Sequence, residues 1–293
     1  MPVLFTTPVE PKFIATEFLI EKMGVFTSAK SPLLIVLGNS DDGGANHRIM
    51  FKNGDDLRQD ILTLQMIDIM DRIWLDNDLD LAMTPYKVVL TDCMQGYLEF
   101  NLNSVTLADI QHKDKQSLYH TFSDTSVHDF FVEEIIKVIL ETDSKSKQPK
   151  FQAYRQFDKP MTRIDYVKAL ADIKDEDAKR LEEPKRSEKK RADAFYQEFV
   201  ARLEKIRNVF IRSTAGYCVA SYVLGLGDRH PDNIMINRYE GNFFHIDFGH
   251  FLENKKLMPV VKISREQDPF VFTPEIAYFV NGQSFKESKK QNK

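Results

Sequence analysis

At 293 residues, with 42% hydrophobic and 29% charged residues, the chain is long enough for two lobes or small domains and has the composition of a folded protein, not a disordered one. A formal net charge of −4 excludes a uniformly basic, nucleic-acid-coating surface, so anion binding must fall in local patches. Cys93 and Cys218 cannot make a disulfide framework and stand at no metal-ligand or redox-motif spacing, which reads as a reduced, cytoplasmic protein.

The N-terminal residues, with Pro2 and Pro8, lack the charged and apolar regions of a secretory signal. The longest apolar run, residues 33 to 37, is far short of the roughly 20 residues that span a bilayer, so membrane contact is expected to be peripheral. Residues 33 to 37 and 47 to 52 read as strands joined by a loop containing Gly43 and Gly44, hence an antiparallel N-terminal sheet. From Asp56, Leu57, Ile61, Leu64, Ile67, Met70 and Trp74 recur at helical spacing, with Asp55 and Asp56 where the helix dipole favours anions.

Segments 86 to 91 and 97 to 103 read as further strands separated by Gln95-Gly96, followed by helices over 105 to 110 and 127 to 140. Residues 141 to 192 break this pattern with Lys, Arg, Asp, Glu and Ser and with three prolines, and read as a charged insertion holding one short helix over 164 to 173. Beyond it Phe195, Phe199, Leu203, Ile206 and Phe210 make one helical face.

The densest signal is Gly225-Leu226-Gly227-Asp228-Arg229-His230-Pro231-Asp232-Asn233, then strand-like 234 to 236, a turn over 239 to 242, and strand-like 243 to 246 ending in Asp247-Phe248-Gly249. Asp228 and Asn233 share one loop, and a hairpin return would bring Asp247 to face Asn233 across a shared metal. Phosphoryl transfer needs positioning and charge neutralisation more than covalent help, and one Asp plus one Asn holding Mg²⁺ suits that task. No Gly-x-Gly-x-x-Gly loop exists anywhere in the chain, which counts against an ordinary protein kinase and a dinucleotide fold.

The Asp-Arg-His order, followed by Asp-Phe-Gly, resembles the phosphatidylinositol 3-kinase superfamily; protein kinases carry His-Arg-Asp. Phe51-Lys52-Asn53-Gly54-Asp55-Asp56-Leu57-Arg58-Gln59-Asp60 resembles the family's strand-to-helix segment, Thr27-Ser28-Ala29-Lys30-Ser31-Pro32 its phosphate loop, and Gly96-Tyr97-Leu98-Glu99-Phe100-Asn101 its hinge. The resemblance implies an α+β, two-lobed protein-kinase-like fold. An antiparallel-sheet N-lobe would cover 1–100, and a mainly helical C-lobe, 101–293, would carry the insertion and end about ten residues past the activation-loop region, short of the family's last helices.

The resemblance also implies roles. ATP and Mg²⁺ are the expected cofactors, with Lys52, Lys30 and Ser28 at the phosphates and Asp60 and Tyr86 in the inner nucleotide pocket. Backbone groups of Glu99 and Asn101 would bond adenine while Met50, Leu98, Met235 and Ile246 clamp its faces. Asn233 and Asp247 would hold the metal, and Asp228 and His230 would meet the attacking hydroxyl as base, orienter or charge stabiliser.

After Asp-Phe-Gly, His250, Lys255 and Lys256 look like a class I activation loop, with His250 counted among the catalytic residues. Lys262 and Arg265 would join Lys30 at headgroup phosphates, although Ala277-Tyr278-Phe279-Val280-Asn281-Gly282 is closer to class II. The implied activity is phosphorylation of a phosphatidylinositol at its 3-hydroxyl on a membrane surface. A regulatory subunit or small GTPase would act through domains outside this chain. Two other readings share the motifs: a Ser/Thr protein kinase of the related large-kinase branch, and a nucleotide-binding scaffold without turnover.

Overall fold

A computed structural model describes residues 4–27, 30–100, 103–114, 124–249 and 270–281. The strands are β1 (Phe5–Thr6), β2 (Ile14–Phe18), β3 (Gly24–Val25), β4 (Leu33–Asn39), β5 (His47–Asn53), β6 (Val88–Asp92), β7 (Gln95–Glu99), β8 (Ser104–Thr106), β9 (Ile234–Asn237) and β10 (Phe243–His245). The α-helices are α1 (Arg58–Leu75), α2 (Leu107–Asp114), α3 (Ser126–Ser144), α4 (Pro160–Ala171), α5 (Asp175–Ala178), α6 (Glu183–Leu224) and α7 (Pro274–Asn281). The α+β class, an antiparallel sheet followed by a mainly helical region, is as expected. Among the described residues no helix is long and apolar enough to cross a membrane.

Contacts divide the chain into two compact units. The first holds residues 1–104, 213–235 and 243–271, the second 105–212, 236–242 and 272–293. Helix α6 contributes its first thirty residues to the second unit and the rest to the first.

In the first unit the strands follow the order β1-β2-β4-β5-β7-β6, with β3 also on β4. Alternation along β4 and β5 turns Ile35, Leu37 and Ile49 to one face, where they bury with Val9 and Ala15 against Phe5, Phe13, Phe51 and Tyr97. The Val88–Glu99 hairpin departs from the sequence reading. Gln95 and Gly96 lie inside β7, opposite Asn53 and Lys52, and the turn is made at Cys93 and Met94. Close packing accounts for the glycine within the strand: a Cβ at position 96 would stand 2.6 Å from the Val89 carbonyl and 2.8 Å from Leu57 Cδ1.

Helix α1 begins after Gly54, whose φ of 85° makes the turn out of β5. Asp56 then accepts the Arg58 N–H at 3.1 Å, satisfying one free donor of the first turn. Leu64 and Ile67 bury, as the helical spacing requires, and so do Asp60 and Thr63.

In the second unit α3, α6 and α7 meet on an aromatic cluster. Phe131 stacks on Phe279 at 4.8 Å, and Phe210 meets Phe279 edge-on at 5.0 Å. The stretch 141 to 192 is ordered by its own core: Phe151, Tyr154, Ile164 and Val167 are buried, and Phe195 sits edge-on to Phe151 at 5.1 Å. Lys189, inside the basic run, is buried and pairs with Asp193 at 2.9 Å and Asp175 at 3.5 Å, so α6 starts well before the apolar stripe that announced it.

Candidate active site

The first unit alone gathers the catalytic-loop, Asp-Phe-Gly and lysine segments. A short 3-10 turn over Pro231–Asn233 follows His230, and the Asn233 N–H donates to the His230 carbonyl at 2.8 Å. The Asn233 amide Nδ2 donates to the Asp228 carbonyl at 2.8 Å, which commits its donor end and leaves its oxygen as the acceptor. Across the hairpin the Ile246 N–H donates to the Asn233 carbonyl at 3.1 Å, so Asn233 stands opposite the peptide that leads into Asp247. Asp228 and Asp247 both adopt left-handed backbone, with φ of 60° and 59°.

His230 lies with Nε2 3.9 Å from Asp228 Oδ2 and Nδ1 3.4 Å from Asp232 Oδ2. On β5, Lys52 faces Gly96 in the ladder, and its Nζ is 3.9 Å from Asp55 Oδ2. Lys30 reaches the same carboxylate at 3.8 Å and donates to the Gly54 carbonyl at 2.7 Å. Two lysines of different exposure, 15% for Lys52 and 52% for Lys30, therefore converge on Asp55.

A family model described as phosphatidylinositol 3- and 4-kinase matches residues 46–292. The chain belongs to that family. It is 35% identical over 292 residues to phosphatidylinositol 3-kinase 1 of Dictyostelium discoideum, a match covering 99% of this chain and 14% of that protein. To the phosphatidylinositol 4-phosphate 3-kinase C2 domain-containing subunit alpha of Pongo abelii it is 34% identical over 275 residues, covering 94% of this chain and 12% of that protein. To phosphatidylinositol 3-kinase age-1 of Caenorhabditis briggsae it is 34% identical over 273 residues, covering 92% and 20%. The chain spans a fifth or less of the length of these relatives.

Within this phosphatidylinositol 3- and 4-kinase domain the electrostatics centre on Asp60. Its side chain is buried and accepts the Phe248 N–H at 3.2 Å. Burial pushes its carboxyl up to about 6, against the opposing pull of Lys52 and of that N–H, and Asp247 adds to the rise. Tyr86 is buried beside it, its ring 6.3 Å from Phe248 and nearly parallel, and burial followed by the Asp60 charge holds its hydroxyl well above the usual range.

Met50 and Leu98 are direct partners across β5 and β7; Leu98 is buried, and Met50, Met235 and Ile246 are half-buried. Glu99 donates its N–H to the Lys87 carbonyl at 2.8 Å, and its own carboxylate accepts the Lys87 N–H at 3.0 Å. Ser28, Asn101, His250, Lys255, Lys256, Lys262 and Arg265 lie outside the described residues.

Sequence reasoning gave no role to Arg229 or His245. Arg229 is fully buried and donates through Nε to the Gly227 carbonyl at 2.7 Å and through Nη1 to the Ile246 carbonyl at 2.8 Å; Nη2 bonds the Asp247 carbonyl. Its guanidinium also lies 5.5 Å from the centre of the Phe248 ring. His245 is fully buried among Phe243, Tyr217 and Phe270, and burial, then the nearby Arg229 charge, keeps it neutral. An arginine between two functional residues reads as surface charge in sequence, and only its burial reveals the contacts.

Proposed function

We propose that this chain is the catalytic core of a lipid kinase that transfers the γ-phosphoryl group of ATP, with Mg²⁺, to the 3-hydroxyl of a phosphatidylinositol headgroup at a membrane. The observation that carries the reading is the Ile246 N–H bond to the Asn233 carbonyl, 3.1 Å long, which sets Asn233, an amide oxygen donor, opposite the peptide that leads into Asp247, a carboxylate. Oxygen donors of this kind suit a hard divalent cation, and two of them leave room for phosphate oxygens and water. Asn233 and Asp247 would hold Mg²⁺, which supplies neutralisation of the charge on the transferring phosphoryl group.

Lys52, held on β5 and flanked by Asp55, meets the ATP phosphates, and Lys30 reaches over Gly54 toward the same place. Asp60 and Tyr86 wall the inner pocket beside Phe248. Adenine lies between Met50 and Leu98 on one side and Met235 and Ile246 on the other. Backbone groups of Glu99 and Asn101 meet the adenine edge in this reading. Asp228 and His230 take the proton of the attacking hydroxyl as its oxygen bonds to the γ-phosphorus and the bond to the ADP oxygen breaks. His250, Lys255, Lys256, Lys262 and Arg265 complete the headgroup side in this reading, and the 3-hydroxyl as acceptor is supported by the similarity to phosphatidylinositol 3-kinase 1 and phosphatidylinositol 3-kinase age-1.

Incubating the purified chain with labelled ATP, Mg²⁺ and vesicles of phosphatidylinositol or its 4-phosphate tests it. A 3-phosphorylated lipid made by wild type and not by Asp247→Ala is the expected result. Product no greater than in Asp247→Ala, or phosphorylation of peptides with none of lipid, overturns it.

A further inference from the structure

The left-handed backbone at Asp228 and Asp247 is uphill for a residue with a Cβ, and such conformations persist only where their surroundings over-determine them. Gly54, Gly43, Gly225 and Gly241 reach positive φ without that cost. Asp228 and Asp247 are nineteen positions apart in sequence, yet one side chain grips the peptide units beside both.

The Gly227 carbonyl belongs to the peptide unit that enters Asp228. The Ile246 carbonyl belongs to the unit that enters Asp247, and the Asp247 carbonyl to the unit that leaves it. All three accept from Arg229, through Nε, Nη1 and Nη2 respectively. A peptide plane held by its carbonyl cannot rotate, and rotation of these planes is what φ of Asp228 and both dihedrals of Asp247 would need to relax. Guanidinium is suited to this because its donors leave in one plane at fixed angles, whereas an ammonium on a flexible stem is a point charge with no preferred fork. Full burial removes water as a competitor for the three carbonyls.

We propose that Arg229 is the positioning residue of this site, a single buried clamp that fixes the catalytic-loop aspartate and the Asp-Phe-Gly aspartate in left-handed conformation and thereby sets the carboxylate of Asp247 relative to Asn233. The proposal rests on the kinase reading for what those carboxylates do. It assigns to Arg229 no contact with substrate or metal. Loss of the clamp lets Asp247 relax toward ordinary backbone and turn its carboxylate away, so metal affinity falls before nucleotide affinity does.

The test is an electron paramagnetic resonance titration of Mn²⁺ into the full chain with a non-hydrolysable ATP analogue. Arg229→Lys, which keeps the charge and loses the fork, is expected to weaken Mn²⁺ about tenfold, the scale of a lost supporting contact to a metal ligand. Analogue binding without metal should change less than about twofold. Phe279→Leu, which loosens the second unit's core, is the control for general destabilisation and should leave Mn²⁺ affinity as in wild type. An Arg229→Lys dissociation constant within about twofold of wild type overturns the proposal. If instead Asp247→Ala binds Mn²⁺ as wild type does, the metal assignment itself fails. A second measurement needs no variant: the Arg229 Nε–H, observed by ¹⁵N NMR in the wild-type chain, should resist exchange with solvent for hours, and exchange within minutes also overturns the clamp.

Discussion

The backbone N–H of Phe248 donates to Oδ1 of Asp60 at 3.2 Å, joining the first turn of α1 to the Asp-Phe-Gly segment across 188 positions of sequence. Because Asp60 is buried and its carboxyl is raised to about 6 from an ordinary 3.8, this bond carries a pH dependence. An acid whose folded value is raised leaves stability intact below 3.8 and withdraws it as pH climbs from there through 6, since ionising it in the folded state is the costly step. Asp60→Asn should therefore flatten the dependence. In the metal-free chain the wild type is expected to lose up to about 3 kcal/mol between pH 4 and pH 7 that the variant keeps, as read by urea unfolding at each pH.

Lys52 lowers the Asp60 value, so removing its charge should raise it further. Lys52→Met is expected to move the Asp60 titration upward, followed by ¹³C NMR of the carboxyl, and to raise the ATP KM at least tenfold by the loss of a phosphate contact worth about 1.5–3 kcal/mol. A shift of one without the other would separate the pocket's internal electrostatics from nucleotide binding.

Gly96→Ala places a methyl 2.6 Å from the Val89 carbonyl and 2.8 Å from Leu57 Cδ1. Relief requires β6 and β7 to part or α1 to retreat, and overpacking of this kind costs about 1–3 kcal/mol. Thermal unfolding should show the loss, with a raised ATP KM because Lys52 lies directly across the ladder.

Phe279→Ala removes the ring shared by Phe131, Phe210 and the Arg207 guanidinium, which stands 5.5 Å over it. A fully buried phenylalanine deleted from an aromatic cluster costs about 3–5 kcal/mol, to be read as a lower denaturation midpoint.

Much of this molecule was legible before folding. The apolar run at 33 to 37, the strand at 47 to 52, the helical stripe from Leu57, and the face from Phe195 to Phe210 all reappear, because each carries its apolar pattern within one short stretch of sequence. Two-residue strands such as Phe5–Thr6 and Gly24–Val25 were not legible, since they are too short to show a period and exist only by pairing with β2 and β4. The turn at Cys93 and Met94 was misplaced onto Gln95-Gly96, because glycine there answers to packing against Val89 and Leu57 and not to turn geometry. Residues 141 to 192 read as polar insertion because their core is split among Phe151, Tyr154, Ile164 and Val167, none at a sustained spacing.

The sequence by itself determined the chemistry available: Asp228, His230, Asn233 and Asp247 in motif order, and Lys52 at a strand end before a helix. That information is local, carried by residue type and spacing. Only the tertiary structure decided that Asp60 is buried under Phe248 and that Arg229 spans the two left-handed aspartates. Both relationships depend on exclusion of water and on backbone carbonyls and N–H groups, which every residue carries and which no sequence pattern distinguishes.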